Sequence, residues 1–209
     1  MHYDFVPTPR RKPLRWPEGK RLAIIWTWRE YGQRVGVWRM FDVFDAEVVP
    51  SSCTMNAKMA LERRAVIDAA VEKEWEIVPH DYVQTDLPTD DQPYPVRTAS
   101  RNKMVSAPCT SEVNDFAIFM RQGQTADGGF AVFREQFDWL YAETERSRRR
   151  MNPGLHPHAI GQPFRIRALR DFIRYAKTFE GVWFATREEI AEWYPDNHES
   201  HIPSSEGAA

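Results

Sequence analysis

The chain predicts an α/β protein with a largely parallel sheet, open or closed into a barrel. Short apolar runs of strand length alternate at least four times with apolar stripes at three- and four-residue spacing. Several of those runs end on ionisable side chains, where α/β folds place their ligands. With 209 residues, one domain of ordinary to large size accounts for the whole chain.

Residues 1–20 carry four prolines and several basic residues and read as an extended arm. The single domain spans 21–195, and 196–209 is a polar tail. Leu22–Trp26 is an apolar run suited to a strand buried on both faces. Val35, Trp38, Phe41 and Phe44, with Met40 alongside, then mark one face of a helix. Ser51–Met55 is a short strand. A helix capped by Asn56 runs to about Lys73, with Ala57, Ala60, Leu61, Ile67 and Val71 inward. Trp75–Pro79 is the next strand, and Leu87–Asn102 reads as a loop.

Further on, Met104–Pro108 is a weak strand, and Asn114–Met120 fits either a strand or a helical turn. Phe130, Phe133, Phe137, Leu140 and Tyr141 form the clearest helical stripe. The basic run Arg146–Arg150 follows it and complements the helix dipole from a solvated face. Ile166, Leu169, Phe172, Ile173 and Ala176 mark another helix, and Gly181–Ala185 a short strand. Thr186 to Glu189 has the capping-box pattern and opens a last helix with Ile190 and Trp193 inward.

Composition narrows the function. Basic and acidic residues nearly balance at 28 and 30, which argues against a nucleic-acid or membrane surface. No segment approaches the ~20 apolar residues of a membrane span, and Met1–Pro13 lacks a signal-peptide core. The reading is a soluble, cytoplasmic protein. Cys53 and Cys109 lack metal-ligand spacing and read as free thiols. Eight Trp, twelve Phe and seven Tyr supply core area first and pocket walls second.

The chemistry-bearing residues cluster after predicted strands. His156 and His158 stand one residue apart within Asn152–Arg167, and His80-Asp81 follows Pro79. Imidazole suits proton transfer or metal ligation near neutral pH. Right-handed crossovers put all parallel strand ends on one side, so His80, His156 and the Arg29-Glu30 loop are expected to share a face.

Arg34–Arg39, Trp75-Glu76 with His80, Asp90–Pro95, Leu155–Pro157 through Gly161–Pro163, and Gly181–Ile190 together resemble the polysaccharide deacetylase family. More narrowly they resemble its branch that hydrolyses cyclic amides and imides, the allantoinase-like and cyclic-imide-hydrolase-like enzymes. The resemblance runs from about Trp16 to Tyr194. It implies a distorted (β/α) barrel of about seven strands and hydrolysis of a carbon–nitrogen bond outside peptides.

Two departures accompany the match. After Trp26 the chain passes at once to Thr27–Gly32, and a second block is absent between Thr85-Asp86 and Thr89-Asp90. Because both gaps fall at active-site loops, the expectation is segments left out of the written sequence rather than a deletion. The sugar-deacetylase branch pairs two histidines four residues apart, but Gln84 stands four residues after His80. An amide is a poor zinc ligand, so both a zinc-type site and a metal-independent one stay open.

The resemblance assigns His156 as general acid, His80 as metal ligand or water-positioning group, and Asp81 as second carboxylate. Arg29 and Arg97 are candidate oxyanion or substrate clamps, with Glu30, Tyr31, Gln84 and His158 as further substrate contacts. Three readings follow: a hydrolase of small cyclic amides, imides or N-acyl groups; a catalytically degenerate binding or assembly protein; or a metal-dependent polysaccharide deacetylase. A proline- and arginine-rich arm on an aromatic-rich domain also suggests a homo-oligomer.

Overall fold

Trp38, Phe41 and Phe44 recur along one stripe, and a stripe of that width can only be buried against other elements. The computed structural model runs unbroken over residues 1–209 and describes residues 31–55, 60–61, 63–79, 94–96, 104–106, 110–146 and 148–197. The arm, the Leu22–Trp26 strand, Asn56, Ala57 and the tail from 198 lie outside the described residues. The two places where blocks are absent, after Trp26 and between Asp86 and Thr89, also lie outside the described residues.

A π-helical turn, Gly32–Gly36, leads directly into helix α1, Val37–Glu47, whose Val37, Trp38, Met40, Phe41 and Phe44 are buried as their spacing requires. Strand β1, Ser52–Met55, helix α2, Arg64–Glu72, and strand β2, Glu76–Pro79, form a β-α-β unit. Its strands pair in parallel, with Cys53 opposite Ile77. Trp75 closes this unit onto α1, its ring 4.4 Å from Phe41 and 5.2 Å from Phe44.

The α2 stripe differs from expectation. Val66 and Ala70 face inward, whereas Leu61 and Val71 are 84% and 60% exposed. Helix α2 itself begins at Arg64, with Ala60 and Leu61 in helical conformation ahead of it. A pair four apart, Val66 and Ala70, then sets the buried face, and Val71 lies one residue, or about 100°, off it. Two helices end on non-glycine residues in the left-handed region, Val48 at φ 49° and Glu74 at φ 55°. In both, the next amide reaches back to close the turn, Val49 N to Phe44 O at 3.2 Å and Trp75 N to Ala70 O at 2.9 Å.

Strands β3, Tyr94–Val96, and β4, Met104–Ser106, pair antiparallel, so the stretch Leu87–Asn102 is not all loop. Strand β5, Thr110–Asn114, was hidden in the sequence because Val113 is its only strongly apolar residue. It runs into a second π-helical turn, Phe116–Arg121, which settles Asn114–Met120 as a strand end followed by a helical turn. Helix α3, Ala126–Glu143, strand β6, Pro153-Gly154, helix α4, Ile166–Ala176, and helix α5, Arg187–Trp193, complete the described elements.

Helices α3 and α4 pack through aromatic rings. Phe133 meets Phe172 at 5.4 Å, and Phe137 meets Phe179, just beyond α4, at 5.0 Å. Each fully buried Phe contributes about 3 kcal/mol of apolar transfer. The expectation that aromatics serve mainly as core holds here. The capping box at Thr186 and Glu189 forms as the pattern predicts. Two local expectations do not hold. Gly181–Ala185 is no strand: Gly181 turns at φ 73° and Trp183 is exposed. Trp193 is also exposed, and the next residue, Tyr194, takes the buried place at 1% exposure.

The described strands thus form three separate pairs, two of them parallel. Among the described residues no continuous barrel sheet joins them. The α/β character stands.

Candidate active site

The pair β5–β6 sets the geometry. Thr110 lies opposite Pro153 and Asn114 opposite Gly154, with an irregularity between them. Gly154 has no room for a side chain, because a Cβ there would stand 2.7 Å from the Asn114 amide. The Asn114 side chain accepts the Phe116 amide hydrogen at 2.9 Å, turning the chain out of the strand directly beneath Asp115.

Asp115 is completely buried. Its Oδ2 accepts the backbone N–H of His156 at 2.8 Å and that of Ile160 at 3.0 Å. Its Oδ1 lies 2.7 Å from His156 Nδ1. A buried carboxylate is tolerated when donors occupy its lone pairs, and here three do. The amides of Ala159 and Ile160 both return to His156 O, so the residues after His156 coil back over the carboxylate. An acceptor-only carboxylate at Oδ1 requires Nδ1 to carry hydrogen. That leaves Nε2 as the ring's working nitrogen, on a side chain 42% exposed.

His158 joins this wall. Its ring centroid stands 5.7 Å from that of His156, and Phe116 lies edge-on to both at 6.0 and 6.1 Å. The exposed Arg121 guanidinium sits 6.0 Å over the Phe116 ring. Behind the wall, glycines allow close approach. A Cβ on Gly32 would fall 2.6 Å from His158, and one on Gly36 would collide with the Pro157 carbonyl. Tyr31, expected as a substrate contact, has its hydroxyl bonded by Arg39, which also donates to Gly161 O at 3.2 Å.

Of the residues singled out from sequence, the structure brings together His156 and His158, with Tyr31 at the adjoining seam. Arg29, Glu30, His80, Asp81, Gln84 and Arg97 lie outside the described residues. Asp115 was missed. Its signal was present, since an acidic residue directly after a strand is the natural partner for a histidine at the end of the neighbouring one.

Other chemistries find less support. Burial pushes the Cys53 thiol up to about 11, so little thiolate exists at neutral pH. Among the described residues no three His, Cys, Asp or Glu side chains converge as a metal cage. The described donor set therefore does not by itself fit a divalent ion. No described helix is long and apolar enough to cross a membrane.

No family model matches the chain. A Schizosaccharomyces pombe protein named "Putative polysaccharide deacetylase" is 26% identical over 242 residues, covering 81% of this chain and 75% of that one. The covered share is about 169 of 209 residues, so about 73 of those 242 positions face no residue here, in keeping with the absent blocks. A crystal structure of a "probable Polysaccharide deacetylase" from Pseudomonas aeruginosa PAO1 aligns with TM-score 0.74 at 27% identity, over 81% of this chain and 75% of that one. The Puue allantoinase crystal structure aligns with TM-score 0.73 at 28% identity and the same coverage. The resemblance read from the motifs thus recurs in sequence and in fold. The relatives are enzymes by name, polysaccharide deacetylases and an allantoinase.

Proposed function

We propose that the protein hydrolyses a carbon–nitrogen bond outside peptides, in a small cyclic amide or imide or in an N-acyl group, on a (β/α)-barrel type of fold. The observation that carries this reading is the Asp115–His156 pair, a half-exposed imidazole oriented by a fully buried carboxylate at 2.7 Å. Water attack on an amide carbonyl passes through a tetrahedral oxyanion, and the leaving nitrogen departs only if it is protonated. With a proton on each ring nitrogen, His156 donates the Nε2 proton, while Asp115 accepts from Nδ1–H, orients the ring and stabilises its imidazolium form before transfer.

His158 and Phe116 would line the slot that a flat amide or imide ring enters. His80 or Asp81 would position the attacking water, and Arg29 or Arg97 would receive the oxyanion, as their places after predicted strands suggest. The names of the relatives support the reaction class, and the allantoinase among them supports the cyclic substrate.

Replacing His156 with Ala tests the reading on hydantoin- and imide-type substrates. Loss of the general acid is expected to lower kcat by about 10²–10⁴-fold. Turnover within a few fold of the parent sinks the assignment. The roughly 73 positions without counterpart favour a second reading, a degenerate binding or assembly protein. That reading is the one left if the parent chain turns over no hydantoin, imide or N-acetylated glycan.

A further inference from the structure

Several arginines around the larger core are matched with carboxylates. Arg149 pairs with Glu143 at 2.6 Å, Arg167 with Asp127 at 2.6 Å, and Arg174 with the buried Glu47 at 2.7 Å. Arg121 is placed differently. It closes the turn Phe116–Arg121, is exposed, and among the described residues no carboxylate pairs with it. Its guanidinium lies instead over Phe116, 6.0 Å from the ring centroid. Such a contact fixes where the charge stands without neutralising it, and it uses none of the N–H donors.

The π-helical turn is what brings the two side chains together. In an α-helix a residue five places on stands about 140° around the axis. Here the hydrogen bonds close over five residues, as in Gln122 N to Ala117 O at 3.0 Å, and the wider turn carries Arg121 back over Phe116. Phe116 in turn stands 6.0 Å from the His156 ring and 6.1 Å from that of His158. One aromatic ring therefore separates an unmatched guanidinium fork from the two imidazoles.

Charge on this wall is one-sided. Asp115 is fully buried, and three donors occupy its oxygens. What the wall offers a ligand is two imidazoles, a phenyl ring and a cation. We infer that Arg121 is a specificity-determining residue that binds a carboxylate carried by the substrate, on a short arm beside the ring or acyl group opened at His156. Two parallel N–H···O bonds from the fork would hold that carboxylate. The inference rests on the hydrolytic reading above for the bond that breaks, whereas the carboxylate contact is a matter of binding.

The test compares hydantoin bearing an acetate arm with methylhydantoin, its neutral counterpart. The parent chain is expected to favour the acid in kcat/KM. Arg121→Gln is expected to lower the acid-to-neutral ratio about tenfold, through KM rather than kcat. Arg121→Lys keeps the charge without the fork and should fall between the two. A ratio in Arg121→Gln within about twofold of the parent's overturns the inference, whether both substrates suffer or neither does. A lysine variant no better than the glutamine one also overturns it. Calorimetric titration of the same compounds into His156→Ala, with and without Arg121→Gln, reads the contact in the absence of turnover. About tenfold weaker binding of the acid in the double variant is expected. That loss, in a protein whose parent chain opens neither ring, would sink the hydrolase reading alone. Equal binding of the acid to both, or none to either, overturns the inference and leaves the hydrolase reading to its own test.

Discussion

The two parallel strand pairs of this molecule both lead toward ionisable residues, but they are backed very differently. Behind β5–β6 lies the larger core, which joins α1, the Phe116–Arg121 turn, α3 and α4 through Phe44, Phe119, Phe133, Phe172 and Ile173. Behind β1–β2 lies a smaller cluster built on Val37, Trp38, Phe41, Met55, Val66 and Ala70, while Ile77 remains 40% exposed. Among the described residues, only the first pair ends on a fully buried charge. A carboxylate can stay buried only while its donors are held in place, and donors are held best where the packing behind them is tight. The contrast teaches that the acid half of the site is structural as much as chemical.

The sharpest way to break this contrast is to remove one core side chain from each half. Phe133→Ala is expected to cost about 3–5 kcal/mol in urea unfolding, and Val66→Ala about 1–2 kcal/mol. An equal or reversed order would mean that the two halves are equally well packed. Gly36→Ala probes the seam between the halves, where the new methyl meets the Pro157 carbonyl. Overpacking of about 1–3 kcal/mol is expected, offset by up to about 1 kcal/mol of helix propensity, and turnover should fall with stability because the His156 turn must shift. The smallest effect belongs to the edge of the core. Val48 is exposed and β-branched at φ 49°, so Val48→Gly should stabilise by about 0.5–1 kcal/mol and raise Tm without touching activity.

The sequence was most legible where periodicity and packing agree. The stripes of α1, α3 and α4 are buried as their spacing predicts, since long amphipathic stretches leave one way to cover apolar area. Short elements were harder. At α2, the phase of the stripe depended on a helix start that no capping residue announced, and Leu61 and Val71 ended up outside. At Gly181–Ala185 an apolar run of strand length has no strand partner among the described residues. Such a run cannot be told from a packed connector by composition alone.

The candidate site divides in the same way. His156 was found because an imidazole after an apolar residue near a strand end is conspicuous. Asp115 was not, because Thr110–Asn114 holds one strongly apolar residue and Asp115's role depends on pairing with residues more than forty positions away. Long-range pairing is the part of a fold that a local reading does not reach.

One consequence of that pairing concerns register. Successive side chains of a strand point to opposite faces. A slip of β5 by one place would bring Asn114 or Phe116 under the His156 turn in place of Asp115. Neither can accept three hydrogen bonds as a carboxylate does. Turnover would therefore report correct strand alignment as well as chemistry: a misregistered chain with native-like helix content would be a folded but silent isomer.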